Sequence, residues 1–201
     1  MSSPVPPSLL FAAVVLISGE APLEQPWRPA RTIDGLKVEV RDVKGSPFEE
    51  VRVTAVSLHA LSTLCDAVWG RDAKVEGHFK KRVVIRESDS DRWTYEQVRV
   101  PVVTDRDLIV HTQLLAPAQT GRCEVKFETG TDPGFPKIND HVRVGAVRGH
   151  WLLEPIADAK VEITYTVYSE PGGAIPAFLA RNGQRQAAVE FMKTILSRAQ
   201  K

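Results

Sequence analysis

Cysteine is scarce in this chain. Cys65 and Cys123 are the only two in 201 residues, too few for a disulfide scaffold and without the spacing of a zinc site. An excess of charge is missing as well: 26 Lys and Arg against 25 Asp and Glu leave a formal charge of +1. That balance excludes a general nucleic-acid binder, which needs a basic face to displace counterions, and a polybasic membrane clamp. No Gly-x-Ser-x-Gly elbow, phosphate loop or dinucleotide fingerprint occurs. His59, His78, His111, His141 and His150 lack metal-ligand spacing, so neither a metal nor a cofactor is expected. No apolar run approaches the ~20 residues of a spanning helix. What is there, 43% hydrophobic and 25% charged residues, is the composition of one globular domain with a sizeable core.

The longest apolar run, residues 9–17 (LLFAAVVLI), is followed by Ser18, Gly19, Glu20 and Ala21. It has the length of a signal-peptide core, and Gly19-Glu20-Ala21 offers a small-x-small cleavage site. A positive leading region is missing apart from the amino terminus, and Pro4, Pro6 and Pro7 precede the run. Two readings of residues 1–26 therefore stand. They are either a signal peptide, cleaved near Pro22 and placing the protein in the periplasm or outside the cell, or a disordered extension of a cytoplasmic protein. No cysteine follows the run, which argues against a lipoprotein anchor. The domain itself is assigned to residues 27–201.

From residue 35 onward the chain reads mainly as strands. Leu36, Val38 and Val40 alternate with Lys37, Glu39 and Arg41, the period of a half-buried strand. Val51, Val53 and Ala55 alternate similarly until the parity slips at Ala55-Val56, where a bulge is expected. Residues 59–69 carry helical spacing, with Gly70 as the stop signal. Six more strands are predicted at residues 79–87, 92–100, 107–116, 122–129, 142–154 and 160–169. They are separated by turn-forming segments and by Pro101, Pro117 and Pro155. No sustained helix interrupts them, which predicts an antiparallel sheet. After Pro171-Gly172-Gly173, Pro176 opens a helix whose apolar face is Phe178, Leu179, Ala188, Val189, Met192, Ile195, Leu196 and Ala199. Cys65 falls on the early helix and Cys123 in mid-strand. Buried free thiols are the expected state, with pairing open only for an exported protein.

Several segments in this order resemble a known family. They are residues 92–110 (RWTYEQVRVPVVTDRDLIV), with Pro101 before the Arg106-Asp107 pair; Arg143 in a valine-flanked strand; residues 149–155 (GHWLLEP); and residues 165–182 (YTVYSEPGGAIPAFLARN). Together they are similar to START domains, the StAR-related lipid-transfer family, with Glu170 standing where an Asp is usual. Asp34-Gly35-Leu36-Lys37-Val38 fits the family's opening strand. The resemblance implies an α+β helix-grip fold, a curved antiparallel sheet wrapped around a long C-terminal helix over an internal cavity. It also implies a lid made of that helix and a loop, for which residues 130–136 are the candidates.

Apolar parity predicts the inward face independently. Phe79, Val83, Ile85 and Lys81 share one parity, as do Trp93, Tyr95 and Gln97. The same reasoning directs Arg106, Leu108, Val110, Thr112 and Leu114 inward, then Cys123, Val125 and Phe127, then Arg143, Val147, Trp151 and Leu153, and finally Val161, Ile163, Tyr165 and Val167. A mostly apolar wall with a few polar groups suits an amphipathic ligand. Arg106, Arg143, Lys81 and Gln97 need partners if buried. They either hold a ligand headgroup or pair with carboxylates that secure the fold. With Phe178 and Leu179 of the lid, the candidate ligand-binding set is Lys81, Tyr95, Gln97, Arg106, Val110, Thr112, Phe127, Arg143, Trp151, Tyr165, Phe178 and Leu179. No catalytic residue is assigned. The expected activity is non-covalent carriage of a lipid by a monomer that meets membrane surfaces transiently. The alternatives are a cyclase or aromatase on the same scaffold and a ligand sensor.

Overall fold

Alternating apolar residues build most of the molecule. The computed structural model describes residues 25–70, 79–99 and 103–200. Within them, ten strands form one sheet: β1 (Arg28–Ile33), β2 (Leu36–Asp42), β3 (Glu49–Ser57), β4 (Phe79–Glu87), β5 (Asp91–Val98), β6 (Arg106–Ala116), β7 (Cys123–Thr129), β8 (Val142–Arg143), β9 (Ala146–Ile156) and β10 (Lys160–Glu170). Their order is β1-β2-β3-β10-β9-β7-β6-β5-β4, antiparallel throughout, with the short β8 lying parallel on β6. Helix α1 (Leu61–Trp69) follows β3, and helix α2 (Ala177–Arg198) follows β10. The curved antiparallel sheet with a long terminal helix is the helix-grip architecture expected from the sequence. The apolar run at residues 9–17, the proposed cleavage site, His78 and Pro101 lie outside the described residues.

Pairing of β3 with β10 brings the opening hairpin beside the last strand. An apolar row then crosses β2, β3, β10, β9, β7 and β6 through Val38, Val53, Tyr165, Trp151, Val125 and Leu114, because cross-strand partners share a face. The second half of α2 seals this row with Ala188, Val189, Met192 and Ile195, all buried. Each fully buried Val, Met or Ile side chain contributes roughly 1.5–3 kcal/mol, so this half of the helix is firmly held.

Several local expectations change. β1 was not legible, because Arg28, Pro29 and Arg31 hide an edge strand. It forms because Asp34 (φ 49°) and Gly35 (φ 80°) make a two-residue turn with both φ values positive, which sets Ile33 opposite Leu36. The bulge expected at Ala55-Val56 is absent: the register with β10 runs unbroken to Ser57, and Val56 simply faces solvent. The strand expected over residues 142–154 is two strands. β8 pairs with β6, and β9 pairs with β7 and β10. Cys65 and Cys123 are not free thiols but a disulfide joining α1 to β7, with Cα atoms 5.8 Å apart. A helix residue and the first residue of β7 meet because α1 packs against β7 and β9.

Candidate functional site

Register fixes which residues line the interior. From Val125 and Phe127 the shared face continues to Leu114 and Thr112, then from Thr112, Val110, Leu108 and Arg106 to Arg92, Thr94, Glu96 and Val98. It ends on Val84, Arg82 and Phe79 of β4. Packing along this face is uneven. Near α1 it is closed, with Leu64, Cys123, Leu153 and Ile163 fully buried. There Arg92 lies 4.6 Å over the Trp69 ring and donates to the Gly70 carbonyl oxygen at 3.1 Å. Elsewhere, Phe79, Thr112, Phe127 and Val167 of the sheet and Phe191 in the second half of α2 are only partly buried, which makes this the more open end.

Aromatic rings dominate the open end. Tyr165 stacks on Trp151 at 4.0 Å and on Phe127 at 6.0 Å, and meets Phe191 of α2 at 6.2 Å, which in turn meets Phe79 at 5.8 Å. Gly149 lies opposite Phe127, and a Cβ there would fall 2.6 Å from the Phe127 ring and 2.1 Å from the Thr166 carbonyl oxygen. Within this apolar wall sits one polar cluster. Arg82 Nε donates to Glu96 Oε1 at 2.7 Å, Thr94 Oγ1 donates to the same oxygen at 3.1 Å, and Thr94 and Glu96 are buried. Tyr165 as a residue is 5% exposed, and its hydroxyl makes no hydrogen bond to another described residue. Burial, with the Glu96 carboxylate adding to it, pushes its pKa far above the ordinary tyrosine value, so it stays protonated and is a donor.

The first half of α2 covers the open end differently from the second. Ala180 is the one buried residue between 177 and 187, and Phe178 and Leu179 are 66% and 55% exposed. Polar bonds hold this half instead. Arg181 Nε donates to the Pro47 carbonyl oxygen at 2.8 Å, Gln184 to that of Ser169, and Arg185 to the buried carboxylate of Glu49.

An uncharacterized protein of Pseudomonas aeruginosa is 30% identical to this chain over 199 residues, 96% of each. The crystal structure of the STAR-related lipid transfer protein from Xanthomonas axonopodis covers 87% of this chain and 99% of its own, at 26% identity and a TM-score of 0.75. The chain shares the fold of the START lipid-transfer proteins. Human StAR-related lipid transfer protein 5, at 15% identity, covers 87% of this chain and 86% of its own with a TM-score of 0.73, and shows the shared fold. No family model matches the sequence.

Within this START fold the sequence-predicted residues divide. Val110, Thr112, Phe127, Trp151 and Tyr165 lie on the inner face, as expected. Lys81, Tyr95 and Gln97 do not, and Trp93 and Val83 go with them, since Lys81 pairs with Gln97, Val83 with Tyr95 and Gln97 with Asp107 on the outer face. The parity of β5 is reversed because its aromatics are covered from outside. Phe135 stacks on Tyr95 at 4.9 Å, and Trp93 is sandwiched between His111 at 4.4 Å and the Arg86 guanidinium at 3.9 Å. Arg143 also belongs to the outer face. It donates to Asp107 Oδ2 at 2.6 Å and to the carbonyl oxygens of Phe135 and Pro136, both at 3.1 Å. Residues 130–136 are thus fastened over the outside of the sheet by this bond and the Tyr95 stack. Arg106 is buried and donates to the carbonyl oxygens of Thr104, Pro171 and Gly172, so it secures the turn before α2 rather than pairing with a carboxylate. Phe178 and Leu179, expected on the apolar face of the helix, point to solvent.

Arg82, Thr94, Glu96 and Phe191 were missed as interior residues, whereas Phe79 lies inward as expected. Parity reasoning sends charged strand residues outward. The available signal was opposite charges facing each other on neighbouring strands, but it requires knowing the register.

Gly183 sits in the polar-bonded half of α2, and a Cβ there would meet nothing within 4 Å. Close packing therefore does not explain it. We predict that Gly183→Ala stabilises the fold by about 1 kcal/mol and slows ligand exchange at unchanged affinity, because a weak point in the lid is removed. Urea melts and a vesicle-to-vesicle exchange assay read the two effects. A stabilised variant with an unchanged exchange rate rules out a hinge.

Proposed function

We propose that this protein binds one amphipathic lipid between the sheet and α2 and carries it without changing it. The observation that carries the reading is the Arg82–Glu96–Thr94 cluster on the same inner face as the Tyr165 ring, with Trp151, Phe127, Phe79 and Phe191 forming the apolar wall. Apolar burial supplies the affinity, and one polar end of the ligand meets the cluster. Arg82 and Glu96 neutralise each other, so the arrangement favours an uncharged hydrogen-bonding head over an anionic one. The START relatives whose names describe lipid transfer support the same class of ligand.

Exchange would occur where α2 meets a membrane, since Phe178 and Leu179 expose apolar surface next to Arg181. A cyclase-type enzyme on this scaffold is the alternative, and solved aromatase/cyclases share the fold at a TM-score of 0.51. A tyrosine held protonated suits holding a ligand better than abstracting a proton.

Lipid extraction and native mass spectrometry of the purified protein test the reading, with a bound lipid recovered unaltered as the expected result. Tyr165→Phe should weaken binding about fivefold, the worth of one hydrogen bond of ~1 kcal/mol. Phe178→Ser with Leu179→Ser should slow uptake from vesicles and leave equilibrium affinity unchanged. No lipid in the native protein, or a chemically altered ligand, overturns the proposal.

A further inference from the structure

Helix α1 has little of its own to hold it. It is nine residues long, no side chain caps it, and its first turn has no acid and its last no base, a length at which an isolated helix is not stable. Yet it closes one end of the interior by burying Leu64, Ala67 and Trp69. The covalent link from Cys65 to Cys123 fixes it there. Cys123 is 0% exposed and Cys65 5%, so the bond lies inside the core, out of reach of thiol reductants in the folded protein. Such a bond must form while the chain is folding, in a compartment that oxidises thiols; cytosolic reductants keep paired cysteines apart. A second, independent feature agrees. The apolar run at residues 9–17 ends in a small-x-small site, Gly19-Glu20-Ala21.

We infer that the protein is exported and folds as a substrate of an envelope thiol–disulfide oxidoreductase. The thiolates of Cys65 and Cys123 displace the partner's disulfide in two exchanges. The Cys65–Cys123 bond forms, the partner's two sulfurs take up the two electrons, and the two protons end on its thiols. The inference rests on the lipid-carrier reading for its consequence: the ligand would be a lipid moved through the aqueous space outside the inner membrane. The compartment itself follows from the cysteines and the leader alone.

The test uses the full chain, expressed from Met1 in a bacterium with an oxidising periplasm and then fractionated. Envelope protein should begin near Pro22 and take up no iodoacetamide when denatured, and two equivalents after reduction. Val14→Arg with Val15→Arg, which breaks the apolar run, should leave the chain in the cytosol with both thiols alkylated. Intact Met1, or two reactive thiols in wild-type protein from the native host, overturns the inference. Lipid extraction of the same sample separates the two proposals. Bound lipid with two free thiols refutes export and leaves carriage standing, whereas an oxidised, processed protein without lipid supports export and refutes carriage.

Discussion

Asp107→Ala should lower folding stability by about 3–5 kcal/mol, the range for removing one partner of a buried ion pair. Asp107 is 0% exposed and accepts from Arg143 at 2.6 Å and from the Tyr95 hydroxyl at 3.3 Å. Gln97 in turn donates to that hydroxyl at 3.1 Å. Without the carboxylate, the Arg143 guanidinium is left against the carbonyls of Phe135 and Pro136, and the loop that covers Tyr95 loses its fastening. A lower denaturation midpoint at constant m-value is the expected reading. Replacing both charges, Asp107→Leu with Arg143→Met, should cost less than the single change, because neither charge is then stranded. Ligand affinity in the folded variants should stay at the wild-type level, since the network sits on the outer face. A loss of affinity without a loss of stability would return Tyr95, Gln97 and Arg143 to the binding set.

Thr112→Trp should abolish ligand uptake, by more than about tenfold, while leaving cooperative unfolding intact. Thr112 is half-buried on the inner face opposite Phe127. An indole there occupies the space a ligand needs, and such steric loss commonly exceeds 1.4 kcal/mol, a factor of ten. Val110, two residues earlier on the same strand, is 8% exposed. Trp at that position overpacks a filled site, with an expected cost of about 1–3 kcal/mol in stability. The two variants thus separate a half-buried wall position from a packed one. Undiminished uptake by folded Thr112→Trp would place the ligand elsewhere.

The corrections on β5 share one physical origin. A strand's sequence reports that alternate residues differ in burial, but not which side buries them. In β5 the aromatics Trp93 and Tyr95 alternate with Arg92, Thr94 and Glu96. A rule that sends apolar residues inward therefore chose the wrong set. The aromatics find cover outside, under Phe135 and beside His111 and Arg86. The polar set turns inward, where Arg82 pairs with Glu96. Lys81 was misplaced because the pairing with β5 shifts between Phe79 and Lys81, and Arg143 because the expected strand breaks into β8 and β9. Where both faces have cover, parity carries no sign.

The sequence by itself determined the strand-rich middle, the two helices, the α+β class and the core of β2, β3 and β10, because one-sided burial writes a period of two into a strand and 3.6 into a helix. It also carried the resemblance to START domains, through segments whose order is more specific than any one of them. Only the tertiary structure decided the rest. It joined β3 to β10, brought Cys65 to Cys123 across 58 positions, placed the Arg82–Glu96 pair inside and Asp107–Arg143 outside, and left Phe178 and Leu179 in solvent. Each of these depends on which distant segment lies across a given residue, and local periodicity contains no information about that neighbour.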